Sequence, residues 1–151
     1  MGKKKREYYK ILEEFNIEKY NKMADCSHHG LSRYEHSLRV TKSSFYASKL
    51  LKADTLSTTR AALMHDFFTN EDIDKSQWGS YLRIHPSIAL ENAKKYFDVN
   101  DLEEEIIKSH MYPFGEYKPS SKEAWIVTIS DKLASIYEFL RYEILRGNIL
   151  K

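Results

Sequence analysis

His65 and Asp66 stand side by side at the end of the apolar run Ala61-Ala62-Leu63-Met64. A neutral imidazole and a carboxylate, adjacent where a buried helix would stop, offer a nitrogen and an oxygen ligand to one metal ion on a rigid support. His36 lies upstream and His85, His110 and Asp131 downstream, at intervals of about 20–30 residues. Each interval is roughly one helix plus one loop, so antiparallel helices would bring all six residues to one end of a bundle. Asp131 supports this independently. An ionised carboxylate within a mostly apolar helix loses solvation unless it is paired, hydrogen-bonded or on a metal. Taken singly, each histidine reads as an ordinary surface or capping residue, and Asp131 has Lys132, Arg39 and Arg83 as alternative partners. His28 and His29 keep that plainer reading, or support the ligands from behind.

The elements that must hold these residues read as helices. With 5 Gly and 3 Pro and no period-two run of β-branched residues, the chain is expected to be all-α, a bundle of about six helices. Helix one covers about 5–22, with Tyr8, Ile11, Leu12 and Phe15 on one stripe, and packs on a core of about 25–146. A polar loop over 25–31 contains His28, His29 and Gly30. Ser32 and Glu35 form a capping box that opens helix two, which runs to about Lys52. Asp54 caps a central helix three that ends near His65-Asp66-Phe67. Residues 69–83 are expected to form a loop with one short helix. Pro86 is placed in the first turn of the next helix, which carries Ile88, Leu90, Ala93 and Phe97. Asn100 and Glu103 cap the helix that leads to His110, and Pro113, Gly115 and Pro119 end it. Ser120 or Ser121 caps the last helix, whose Ile126, Ile129, Leu133, Ile136 and Leu140 form the expected core stripe.

The totals exclude several functions. A chain of 151 residues fits one domain, and 24 basic against 22 acidic residues, net +2, is too balanced to imply a nucleic-acid partner. Cys26 is the only cysteine, so no intramolecular disulfide forms; it reads as a partly buried bystander, and the expected compartment is the cytoplasm. No apolar stretch approaches ~20 residues, so no membrane span is expected. Lys3-Lys4-Lys5-Arg6 reads as a solvated terminus. Arg6 occupies the position where a myristoylation signal needs Ser or Thr. No signal-peptide core follows, so the mature chain is expected to start where the sequence starts.

The ordered set H…HD…H…H…D resembles the ligand series of the HD superfamily of metal-dependent phosphohydrolases. The resemblance runs from about His29 to Tyr137. It is strongest in Tyr34-Glu35-His36-Ser37-Leu38-Arg39-Val40, Ala61-Ala62-Leu63-Met64-His65-Asp66, Arg83-Ile84-His85-Pro86 and Ser130-Asp131-Lys132-Leu133. It implies a helical HD domain in which His36, His65, Asp66 and Asp131 hold a first metal. Asp66 would bridge to a second metal completed by His85 and His110. Imidazole and carboxylate without thiolate suit divalent transition metals, Fe or Mn foremost, with Zn, Ni and Co also compatible. Two such ions would acidify a bridging water and clamp a phosphoryl group.

The resemblance therefore implies hydrolysis of a phosphomonoester, a phosphodiester or a nucleotide polyphosphate, with Asp66 as the central catalytic residue. Arg39, Arg83 and Lys132 are the candidate phosphate-binding cations. Tyr112, Phe114 and Tyr117 are candidate lid or wall residues, with at least one of them expected against the bundle. The partner expected is a small phosphorylated substrate, with a nucleotide or dinucleotide polyphosphate leading because the bacterial HD hydrolases of diadenosine tetraphosphate have a similar pattern. Many HD hydrolases continue as HDIGK, whereas this chain reads His65-Asp66-Phe67-Phe68-Thr69-Asn70. The phosphate contact or proton donor expected at that lysine must be absent or supplied from elsewhere. A single histidine at 110 and the absence of a GYP motif disfavour a cyclic-dinucleotide phosphodiesterase. Two other readings remain: a mixed-valent di-iron oxygenase of the same superfamily, and a non-catalytic metal or nucleotide-binding regulatory module.

Overall fold

The computed structural model describes residues 2–28 and 31–145. Seven helices appear among them: α1 (Lys3–Glu13), α2 (Glu18–Lys22), α3 (Arg33–Leu50), α4 (Thr55–Met64), α5 (Tyr81–Tyr96), α6 (Asp101–Ser109) and α7 (Lys122–Leu145). The chain is all-α apart from a two-residue antiparallel ladder, Ser27–His28 against Leu31–Ser32, where a plain polar loop was expected. His29 and Gly30 lie outside the described residues, and so does the reading of His29.

Local capping chemistry sets most helix starts. Ser32 accepts from the Glu35 backbone N–H and the Glu35 carboxylate accepts from the Ser32 N–H, which opens α3; Asn100 and Glu103 do the same for α6. Asp54 accepts from Ser57 at the start of α4, and Ser121 Oγ from the Ala124 N–H at the start of α7.

Three expectations are corrected. The first helix is broken rather than continuous over 5–22. In an unbroken helix positions 15 and 20 would diverge by ~140°, whereas the break turns both rings into one core, Phe15 4.5 Å from Phe97 and Tyr20 5.8 Å from Phe67. Pro86 is not in the first turn: α5 begins five residues earlier at Tyr81, after two 3-10 turns at Asn70–Asp72 and Lys75–Ser80. The extra turn gives His85 a helical scaffold on both sides. The third correction concerns α7. Its expected core stripe divides: Ile126 is buried as expected, but Ile129, Leu133, Ile136 and Leu140 are all exposed, while Ala124, Val127, Ala134, Asp131 and Glu138 face the bundle.

The centre of the bundle is α4. Ala61 to Phe68 is buried throughout, with α3, α6 and α7 packed around it. Beyond His65-Asp66 the chain leaves the helix, so its carbonyls need donors. Asn92 Nδ2 donates to the Phe67 carbonyl (3.2 Å) and Arg33 Nη1 to that of Phe68 (3.2 Å), while the Arg33 guanidinium lies 4.0 Å above the Phe68 ring. Two polar side chains thus fix the turn that presents the pair.

Candidate metal centre

Five helices or helix ends deliver the six residues to one place. His36 comes from the first turn of α3, His65 is the C-cap of α4 with Asp66 next to it, His85 lies within α5, His110 is the C-cap of α6, and Asp131 is on the inner face of α7. All six are buried. Two groups of ligand atoms lie within 4.8 Å of one another: His36, His65 and Asp131 in one, His65, Asp66 and His110 in the other. His65 is common to both. Asp66 faces two ways, Oδ2 3.7 Å from His65 Nε2 and Oδ1 3.3 Å from His85 Nε2 and 3.6 Å from His110 Nε2.

The histidines are oriented by their other ring nitrogen. Nδ1 of His65 donates to the Ala62 carbonyl (2.7 Å), Nδ1 of His110 to Ile107 (2.7 Å) and Nδ1 of His85 to Tyr81 (3.0 Å). Each such bond assigns the proton to Nδ1 and leaves a lone pair on Nε2. Burial lowers the His110 pKa to about 4 against the opposing pull of Asp66, so that ring is neutral. The Nε2 atoms of His85 and His110 lie 3.0 Å apart. Two lone pairs at that distance repel. A cation before both relieves the repulsion, and two nitrogens bound at right angles to one ion at ~2.1 Å are ~3.0 Å apart. His65 Nε2 and Asp66 Oδ1 are buried and without a hydrogen-bond partner, a costly arrangement for polar atoms that a metal ion would satisfy. The donor set fits divalent metal.

His36 is held differently. Nε2 donates to Asp131 Oδ1 (2.9 Å) and Nδ1 to Glu138 Oε2 (2.8 Å). Burial opposes charge on the ring, but the two carboxylates outweigh it and raise its pKa to about 10. Ligation through Nε2 would release that proton and leave Glu138 holding Nδ1–H. Burial also opposes charge on Asp131, but His36, His65 and Lys132 hold it well below the usual carboxylate range; His65, His110 and His85 do the same for Asp66. Glu138, 1 % exposed, also accepts from Arg39 Nε (2.9 Å). It was absent from the sequence reading. The signal was there: Glu138 lies two helical turns beyond Asp131, on the same face of α7.

A cavity of about 220 Å³ opens onto this cluster, lined by Asp66, His85, His110 and Asp131 together with Tyr81, Leu82, Met111, Phe114, Lys132 and Ser135. Of the three candidate phosphate-binding cations only Lys132 lines it, with Nζ 2.7 Å from Asp131 Oδ2 and 3.0 Å from the His110 carbonyl. Arg39 is turned to Glu138 and Tyr137. Arg83 lines an adjoining cavity that shares Tyr81, Leu82 and Phe114. Phe114 forms a wall, as expected of that loop; Tyr112 packs edge-on against Trp125 (5.7 Å), and Lys108 sits over Tyr117. Cys26, expected to be partly buried, is fully buried, with Sγ 3.8 Å from the Lys22 carbonyl.

An all-α bundle that gathers four histidines and two aspartates around an adjacent His-Asp pair has the donor groups of a metal-binding helical domain. A model of the HD domain family matches residues 33–136, from the first turn of α3 into α7, and the chain belongs to that family. No curated protein and no solved structure matches the chain. Among the described residues, no helix is long and apolar enough to cross a membrane.

Proposed function

We propose that this chain hydrolyses a phosphoester or phosphoanhydride of a small molecule, a nucleotide being the leading class, at a centre of two divalent transition metals held by His36, His65, Asp66, His85, His110 and Asp131. One domain carries the activity, with α1 and α2 packed on its core. The observation that carries the reading is the opposed Nε2 pair of His85 and His110 beside the unpartnered His65 Nε2 and Asp66 Oδ1. When bound, the metals supply Lewis acidity to a water and counter-charge to phosphoryl oxygens; Fe or Mn best suits the ligands.

The chain's own residues do the rest. The carbonyls of Ala62, Tyr81 and Ile107 fix three rings so that each Nε2 points inward. Asp66 spans the cluster with its two oxygens. Lys132, tethered at Asp131, presents its ammonium beside the ligands, which gives the cavity a cation where the HDIGK lysine is missing. Leu82, Met111 and Phe114 give the cavity an apolar mouth suited to the organic part of a substrate, and Arg83 on the adjoining cavity is placed for a charge further along it.

The test is a screen of nucleotides and phosphate esters with Fe or Mn, run with and without dioxygen. Protein carrying close to two metal equivalents and releasing phosphate anaerobically is the expected result. Strict dependence on dioxygen would sink hydrolysis, and no retained metal after reconstitution would sink the site. In the same assay Lys132→Ala is expected to lower kcat/KM by ~10–100-fold, the loss of one charge-assisted contact of ~1.5–3 kcal/mol. An unchanged value would remove Lys132 from the phosphate grip.

A further inference from the structure

Helix α7 is apolar on both sides, and one of those sides has nothing to do with the metal centre. Ile129, Leu133, Ile136, Tyr137, Leu140 and Ile144 are each 45 to 62 % exposed. At 100° per residue they fall within an arc of about 100°, opposite the face that carries Ala124, Asp131 and Ala134. The charged residues between Ile129 and Leu140 do not interrupt it. Asp131 and Glu138 are buried in the site, and Lys132 is bonded to Asp131 and the His110 carbonyl.

Half-exposed side chains of this size offer ~100 Å² each, so the six present ~600 Å². Trp125, exposed at the margin of the same arc, brings the face to ~700 Å², close to the ~800 Å² per partner of a stable interface. Soluble monomers rarely leave so large a contiguous apolar patch in water.

The order of residues names the occupant. Read outward from the point between Ile136 and Tyr137, the stripe is symmetric: Ile136 with Tyr137, Leu133 with Leu140, Ile129 with Ile144. A two-fold axis at that point, perpendicular to the helix, sets leucine on leucine and isoleucine on isoleucine across an antiparallel pair. Self-complementarity of this kind is what a two-fold interface requires. A membrane-surface helix would carry lysines and arginines along both flanks of its apolar face, whereas here Lys132 is tied to the site and the flanks beyond Leu140 carry Arg141 on one side and Glu143 on the other. We infer that the chain forms a two-fold homodimer through antiparallel packing of α7 on α7. Lys132 and Ser135 of the same helix line the catalytic cavity, so the second copy lies along one rim of it.

Sedimentation equilibrium of the purified full chain tests this. The expected mass is twice 17.8 kDa, and Leu133→Glu, which puts a charge into the contact twice, is expected to weaken association at least 100-fold with helical content and metal loading unchanged. A wild-type mass of 17.8 kDa, or a dimer indifferent to Leu133→Glu, would overturn the inference, as would a monomer that co-sediments with anionic lipid vesicles. Should Leu133→Glu fail to fold, single cysteines in a Cys26→Ser background with a short bismaleimide decide the matter. Ile136→Cys is expected to cross-link to its own copy. Ile129→Cys is not, since an antiparallel pair separates the two copies of that position by ~22 Å, but it is expected to cross-link when mixed with Ile144→Cys. Equal self-linking at 129 and 136 would exclude the antiparallel pair.

Discussion

Asp66→Ala is expected to lower turnover by ~10³-fold or more while the helices stay intact. The carboxylate reaches both halves of the ligand cluster, Oδ2 toward His65 and Oδ1 toward His85 and His110, so one truncation removes a ligand from each side. Loss of a single preorganised electrostatic contact at a reaction centre already costs ~10²–10³-fold, and a shared ligand costs more. The fold has little to lose, because Oδ1 is a buried acceptor without a hydrogen bond and the backbone of the turn is held by Asn92 and Arg33. Without metal, the variant should keep the helical content of the parent. With metal, the parent gains the stabilisation that any native-state ligand gives, RT ln(1 + [L]/Kd), and the variant gains much less. Circular dichroism, melting with and without Mn, and turnover together separate a lost ligand from a lost fold. Activity within tenfold of the parent would reject Asp66 as the shared residue.

The parts legible in the sequence were those set by neighbours in the chain. Ser32 with Glu35, Asn100 with Glu103, and Asp54 with Ser57 satisfy backbone donors within three residues, so the starts of α3, α6 and α4 need no tertiary information. The gathering of the four histidines and two aspartates was equally legible, because buried imidazoles and a carboxylate among apolar residues demand partners wherever they fold. Periodicity failed at α7 for a physical reason. It reports that a helix has an apolar stripe but not which side of the bundle that stripe faces, and here the larger side chains lie outside while Ala124, Val127 and Ala134 let α7 approach α4 closely. Asp131, the carboxylate within that stretch, marks the side that faces the histidines. Pro86 misled similarly: a proline suits a first turn, but the capping carbonyl that His85 needs belongs to Tyr81, so the helix must start before the proline.

Glu138→Ala is expected to weaken metal binding by ~10–100-fold, the usual cost of removing the group that orients a ligating histidine. Glu138 does for His36 what backbone carbonyls do for His65, His85 and His110, but it does so as a buried anion 2.8 Å from Nδ1 and neutralised on its other oxygen by Arg39. Burial would push this carboxyl up, and His36 and Arg39 outweigh it to hold it below the usual range. The ring therefore keeps a charged acceptor, and its Nε2 becomes a stronger donor of electrons to whatever it faces. Alanine leaves Nδ1 without an acceptor in a buried site, so a fall in stability of ~2–4 kcal/mol accompanies the loss of affinity. Glu138→Gln separates the two effects. The amide oxygen still accepts from Nδ1–H and preserves the ring's orientation, so most of the stability returns while the affinity recovers only in part. Competition with a chromogenic chelator reads the affinity directly, without substrate or turnover. Equal metal affinity in the parent and in Glu138→Ala would show that His36 either is no ligand or needs no carboxylate behind it. Arg39→Ala is the complementary variant: it leaves the His36 bond in place and should cost less affinity than Glu138→Ala, which makes Arg39 a support of the carboxylate rather than a grip on phosphate.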